Sequence, residues 1–232
     1  MSQEEVREIK MYDGDYHGRG YGSCKKEDKG VIRVKGKMVL RFLLLFIVLS
    51  FSAHSYVCAS DSEYIPDTAR WNTESAVIAG YGKGDVAEGT YEPVLLIWRL
   101  GCNLKQFSPS LENHRGSLSF YMEPQINPVF KRETDIEFGI GLGFKYMYPL
   151  TDSMGAYLFG SVGPHYVSVK TSDQANGFIF SDTIGIGLSF FLTKKSAIIV
   201  EYRRRHMSNG DMEKPNGGID TNSVTIGYSV FF

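Results

Sequence analysis

Residues 136–150 read IEFGIGLGFKYMYPL and repeat with a period of two. Ile136, Phe138, Ile140, Leu142, Phe144, Tyr146, Tyr148 and Leu150 fall on one side of an extended chain. Glu137, Gly139, Gly141, Gly143, Lys145 and Met147 fall on the other. Side chains leave a strand on alternate faces, so one face here is apolar throughout and the other is glycine and charge. A soluble sheet would turn the second face to water. A membrane barrel would turn it to its lumen and give the aromatic face to lipid.

The same period recurs on either side, at about 75–83, 91–101, 116–130, 134–149, 154–169, 177–192, 196–208 and 220–232. No 3.6-residue periodicity runs long enough in this region to compete. Turn chemistry separates the segments at Lys83-Gly84-Asp85, Pro149-Leu150-Thr151-Asp152-Ser153, Gln174-Ala175-Asn176-Gly177 and Thr193-Lys194-Lys195. Short breaks join antiparallel neighbours. The fold expected is therefore all-β, an eight-stranded antiparallel transmembrane β-barrel. Aromatics at 13% and 25 glycines suit aromatic girdles and many turns. A net charge of −1 excludes the basic footprint of a nucleic-acid binder.

Upstream, Phe42 to Phe51 (FLLLFIVLSF) is preceded by Arg33, Lys35, Lys37 and Arg41 and followed by Val57-Cys58-Ala59. Basic flank, short apolar run and small residue are the parts of a signal peptide. The run is far short of the ~20 residues that a spanning helix needs. Lipidation at Cys58 is disfavoured because Val57 is bulky for such a cleavage position. Signal peptides begin at the N-terminus, so Met38 is the expected start. The expected organisation is 1–37 as a misassigned upstream extension, 38–59 as the signal peptide and 60–232 as the barrel. Cys24 and Cys58 then fall in discarded segments, and Cys102 alone cannot form an internal disulfide.

The last segment is NSVTIGYSVFF, residues 222–232, with Val224, Ile226, Tyr228, Val230 and Phe232 in one apolar row. A terminal strand ending in an aromatic residue resembles the outer-membrane assembly signal of Gram-negative barrels. An even strand number puts both termini on the periplasmic side, which makes the connection between strands seven and eight extracellular. From Phe232 back to Asp220, steps of ~3.3 Å at ~45° tilt rise ~28 Å, to the outer-leaflet interface.

That hairpin carries the candidate chemistry. His206 and Ser208 share a face with Ile198, Val200 and Tyr202, while Glu201, Arg203 and Arg205 point the other way; Asp220 shares parity with Val224 through Phe232. An imidazole, a hydroxyl and a carboxylate on a lipid-facing row are costly without a compensating role. A Ser-His-acid array supplies one, with His206 as general base, Ser208 as nucleophile and Asp220 holding the imidazole. Asn209 and the N–H near Gly210 are candidates for an oxyanion hole. A His-x-Ser pair alone says little, since interfacial histidines and turn serines are common.

The wider pattern is more specific. H-x-S-N, an eleven-residue loop containing Pro-Asn, then Gly-Ile and an acid fourteen positions after the histidine resembles the PagL-type lipid A 3-O-deacylases. The resemblance implies an outer-membrane esterase of eight strands. Its implied action is to hydrolyse the 3-linked acyl chain of lipid A at the outer leaflet, with Ser208, His206 and Asp220 as its triad. The chain departs from that pattern in having Asp220 where glutamate is usual, and Asn209-Gly210-Asp211 where Asn-Ala-Gly is usual. No metal or cofactor is needed. The expected partners are lipid A within lipopolysaccharide and the outer-membrane assembly machinery through the strand ending at Phe232, with homo-oligomerisation left open.

Either Arg204, on the outward row, pairs with a lipid A phosphate while Arg203 and Arg205 are lumenal partners of Glu201, or all three form an interfacial basic cluster. His165 reads as a satisfied barrel histidine. Glu123-Pro124 and Asn127-Pro128 mark a strand irregularity or an edge. Gly139, Gly141 and Gly143 make room for bulky lumenal neighbours. Two rival functions stand beside the deacylase: a non-catalytic small barrel serving adhesion or membrane integrity, and another lipid-modifying barrel enzyme such as an acyltransferase.

Overall fold

The computed structural model describes residues 71–107, 115–130 and 134–232. The upstream extension, the signal segment and its cleavage region lie outside the described residues. Eight antiparallel strands close on themselves in chain order: β1 (Thr73–Val86), β2 (Gly89–Asn103), β3 (Ser117–Phe130), β4 (Thr134–Thr151), β5 (Met154–Val167), β6 (Gly177–Thr193), β7 (Ser196–Ser208) and β8 (Ile219–Phe231). β1 pairs with β8 from Glu74↔Phe231 to Lys83↔Asn222, so the barrel has no free edge.

β4 behaves as its alternation demands. Phe138, Ile140, Leu142, Phe144, Tyr146 and Tyr148 are 41% to 55% exposed, while Glu137, Lys145 and Met147 are buried. An apolar girdle outside and a charged interior is the inverse of a soluble protein and the signature of a strand barrel in lipid. On β8, Val224, Ile226 and Tyr228 face outward and are exposed, as is Phe232 just beyond it, whereas Val230 of the same row is buried.

The lumen is filled. Buried apolar side chains, including Tyr91, Val167 and Met207, pack at the end carrying the β5–β6 and β7–β8 loops. Tyr121, Tyr157, Phe191 and Phe231 pack toward the opposite end, where the Trp71 and Phe231 rings stack at 4.3 Å. Between them two arginines and two glutamates form a closed square. Arg99 reaches Glu123 at 2.6 Å and Glu201 at 2.7 Å, and Arg203 reaches the same two acids at 3.0 and 2.6 Å. Tyr157 and Thr225 donate to Glu201 at 2.7 and 3.2 Å. Such charges persist away from water because each has several partners. Arg203 is thus a partner of Glu201, as expected. Arg205 is not: it pairs with Glu137 at 2.8 Å. It lies one step farther along β7, beyond reach of the square.

The two proline pairs of β3 interrupt the ladder to β2 without shifting its register, and in a closed barrel they mark no edge. Proline offers no N–H to the ladder. A side chain substitutes nearby: Asn127 Oδ1 accepts the Leu96 N–H at 3.1 Å. Gly139 is a close-approach glycine, because a Cβ there would overlap the buried His165 ring.

Candidate active site on the lipid-facing wall

The site begins with register. His206 stands directly opposite Asp220 in the β7–β8 ladder, and both side chains face outward. Directly opposed residues of an antiparallel pair have Cβ atoms ~5 Å apart. An aspartate is therefore long enough, and Asp220 Oδ1 meets His206 Nδ1 at 2.9 Å. The missing methylene relative to glutamate does not deny this contact. Both side chains remain open, His206 45% and Asp220 60% exposed.

With Nδ1 turned to the carboxylate, the opposite edge of the ring lies over Gly218. A Cβ built there would sit 2.6 Å from His206 Cε1 and 3.2 Å from Nε2. Gly218 adopts φ +80°, a left-handed conformation that glycine takes without penalty. The β7–β8 ladder ends at Met207↔Ile219, so Gly218 and Ser208 each lie one residue beyond its last pair. Ser208 itself is half-buried. No hydrogen bond joins Ser208 to His206 among the described residues. Catalytic hydrogen bonds are often long before substrate is bound.

The loop after Ser208 is stiffened by its own polar groups. Asn209 is buried; its N–H donates to Asn216 Oδ1 at 2.8 Å and its side-chain amide to the Glu213 carbonyl at 2.7 Å. The Asn209 backbone N–H and one N–H of its carboxamide are therefore engaged within the loop. Gly210 and Asp211 follow at φ +62° and +66°. Asp211 accepts from Lys214 at 2.7 Å and from Asn216 at 3.1 Å, and these contacts hold its carboxyl below the usual aspartate range.

Three features of this region escaped the sequence reading. The β5–β6 loop, 168–176, holds the β7–β8 loop from the side: the buried Gln174 accepts the Gly218 N–H at 3.3 Å, and Ala175 N–H donates to the Pro215 carbonyl at 2.9 Å. Asp173 ties the same loop to the β1–β2 turn by accepting the Ala87 N–H at 2.8 Å. Asp182, exposed on β6, stands opposite His206 on its other flank. Its parity with Phe178 and Phe180, an acid in an apolar row, was the only available signal. Arg204 faces outward one step below His206, as its parity implied. His165 lies in the lumen with Nδ1 3.3 Å from the Gly163 carbonyl oxygen.

A closed eight-stranded barrel with an apolar girdle, a packed charged lumen and a His–Asp pair on its lipid-facing wall is an outer-membrane protein carrying a candidate catalytic site on its outer surface. The chain belongs to the lipid A 3-O-deacylase (PagL) family, whose model matches residues 94–229. It is a protein of the Gram-negative outer membrane. Among solved structures it is similar to Neisserial surface protein A, at 14% identity and a TM-score of 0.53, over 69% of this chain and 97% of that one. It is also similar to the outer membrane enzyme PagL, at 20% identity and a TM-score of 0.46, over 66% of this chain and 97% of that one. No curated protein matches the chain in sequence.

Proposed function

We propose that this protein is a serine esterase that removes the 3-linked acyl chain of lipid A from the outer leaflet. The observation that carries the reading is the 2.9 Å contact between His206 Nδ1 and Asp220 Oδ1 on the lipid-facing wall of a chain in this family. A hydrogen bond from the Nδ1 proton to Asp220 leaves the Nε2 lone pair free to serve as the base for Ser208. Ser208 Oγ attacks the ester carbonyl as His206 Nε2 takes its proton. The imidazolium returns that proton to the departing 3-hydroxyl of the sugar, leaving an acyl-serine. Water, deprotonated by His206, then releases the fatty acid and restores Ser208. The N–H of Gly210, which makes no hydrogen bond among the described residues, is one oxyanion donor; Asn209 joins it when its amide leaves Glu213.

The surface beside the triad suits an acyl chain. An outward groove floored by Gly160 and walled by Phe144, Leu158, Ile184 and Tyr202 ends at Arg204, one step below His206. Lipid reaches this wall laterally, without passing through the packed lumen.

Mass spectra of lipid A from cells expressing the wild type and Ser208→Ala test the reading. Loss of one 3-linked acyl chain in the wild type alone is expected. An added chain would replace the esterase with an acyltransferase, and identical spectra would leave a non-catalytic barrel.

A further inference from the structure

Connecting loops usually run over the surface, yet in the β5–β6 loop Val169, Thr171, Gln174 and Ala175 are buried. Gln174 is fully enclosed. Burying a carboxamide is unfavourable unless its groups are paired, and packing alone would be served as well by an apolar side chain. Here both ends are paired. Oε1 accepts the Gly218 N–H at 3.3 Å, and Nε2 donates to the Ala175 carbonyl at 3.3 Å. The backbone beneath is fixed as well: the Gln174 N–H donates to Thr171 Oγ1 at 2.8 Å, and its carbonyl accepts the Thr171 N–H at 3.0 Å.

The sheet leaves a gap that this residue fills. Register fixes His206 against Asp220, but the β7–β8 ladder stops at Met207↔Ile219. Ser208 keeps a partner in Phe180 of β6, whereas Gly218, at φ +80°, has none in the sheet. Gln174 supplies one. Two routes lead from it toward the triad. The first runs through Gly218, whose missing Cβ leaves room for the His206 ring. The second runs through Asn216, which pairs with Gln174 in an isolated antiparallel bridge. Asn216 Oδ1 in turn accepts the N–H of Asn209, the residue after Ser208, at 2.8 Å.

We propose that Gln174 is a positioning residue of the esterase: through Gly218 it keeps the His206 ring seated against Asp220, and through Asn216 it holds the loop that follows Ser208. The inference rests on the esterase reading, but its first measurement needs no turnover. The full chain, carrying isotope-labelled histidine and folded in neutral micelles, reports the tautomer of His206 through its ring nitrogen shifts in alkaline buffer, where imidazoles are neutral. His206→Gln identifies the signal. The wild type is expected to hold the proton on Nδ1, facing Asp220. Gln174→Met removes both amide groups at similar length, and Gln174→Asn withdraws them by one methylene; each should lose the Nδ1 preference. Asp173→Ala cuts the tie to Ala87 but spares the bonds to the β7–β8 loop, and should keep it. The same variants are then assayed on lipid A, with the heat-dependent gel shift confirming that each barrel is folded. Both Gln174 variants should lose about 10- to 100-fold in kcat with KM within about threefold, and Asp173→Ala should match the wild type.

A wild type without the Nδ1 preference, an unchanged tautomer in both Gln174 variants, an equal change in Asp173→Ala, or a loss confined to KM overturns the proposal. A wild type that leaves lipid A intact removes the esterase reading instead, and the tautomer measurement still decides whether Gln174 seats His206.

Discussion

Gly218→Ala isolates the part of the site that depends on empty space. The residue sits at φ +80°, where a Cβ costs about 1–2 kcal/mol. That Cβ would also lie 2.6 Å from His206 Cε1, whereas ordinary contact begins at 3.4 Å, so the ring must retreat by about 0.8 Å. The imidazole cannot retreat freely, because Nδ1 is held 2.9 Å from Asp220. Displacements near 1 Å cost about 100-fold in rate, so turnover should fall about 100-fold beyond any loss of folded protein. Gly177→Ala supplies the comparison. It has φ +109° but nothing within 4 Å of its Cβ, so it carries backbone strain without crowding. Single-turnover release of fatty acid from lipid A measures the chemistry, and the heat-dependent mobility shift of the folded barrel in gels measures stability. Gly218→Ala should lose rate and some stability, and Gly177→Ala only stability. A Gly218→Ala enzyme within threefold of wild type, or equal rate losses in both variants, would refute the reasoning.

Asp220→Asn should lower turnover by about 10³–10⁴, as expected when the base loses the partner that sets its tautomer, while Asp220→Glu should stay within about tenfold of wild type; the same fatty-acid assay reads both. Glu201→Gln leaves Arg99 and Arg203 short of charge in the lumen and should cost about 3–5 kcal/mol, seen as a lower midpoint in the gel-shift melt; an unchanged midpoint would mean that Glu123 alone holds both arginines. Asp211, held by Lys214 and Asn216, should titrate below the ordinary aspartate value of ~3.9 in carbon-detected NMR. Because its folded value is lowered, its stabilisation of the loop is complete above the ordinary value and is lost as pH falls through the lowered one. A midpoint at or above ~3.9 would count against the contact.

Periodicity carried most of the fold. A period of two puts every other side chain on one face regardless of what surrounds the strand, so eight alternating segments with turn residues between them already imply an antiparallel barrel. Parity likewise put His206, Ser208 and Asp220 on the lipid-facing row. It could not say which residues meet across a ladder, because that depends on where each strand starts relative to its neighbour. Register is what set His206 against Asp220 and gave Arg205 to Glu137 instead of Glu201. The loops were least legible. Gln174 reaches Gly218 across 44 positions of sequence, through contacts that no local pattern encodes. Local chemistry writes the strands and their faces into the chain, while barrel closure, which brings β1 against β8 and packs the β5–β6 loop against the β7–β8 loop, makes a site of them.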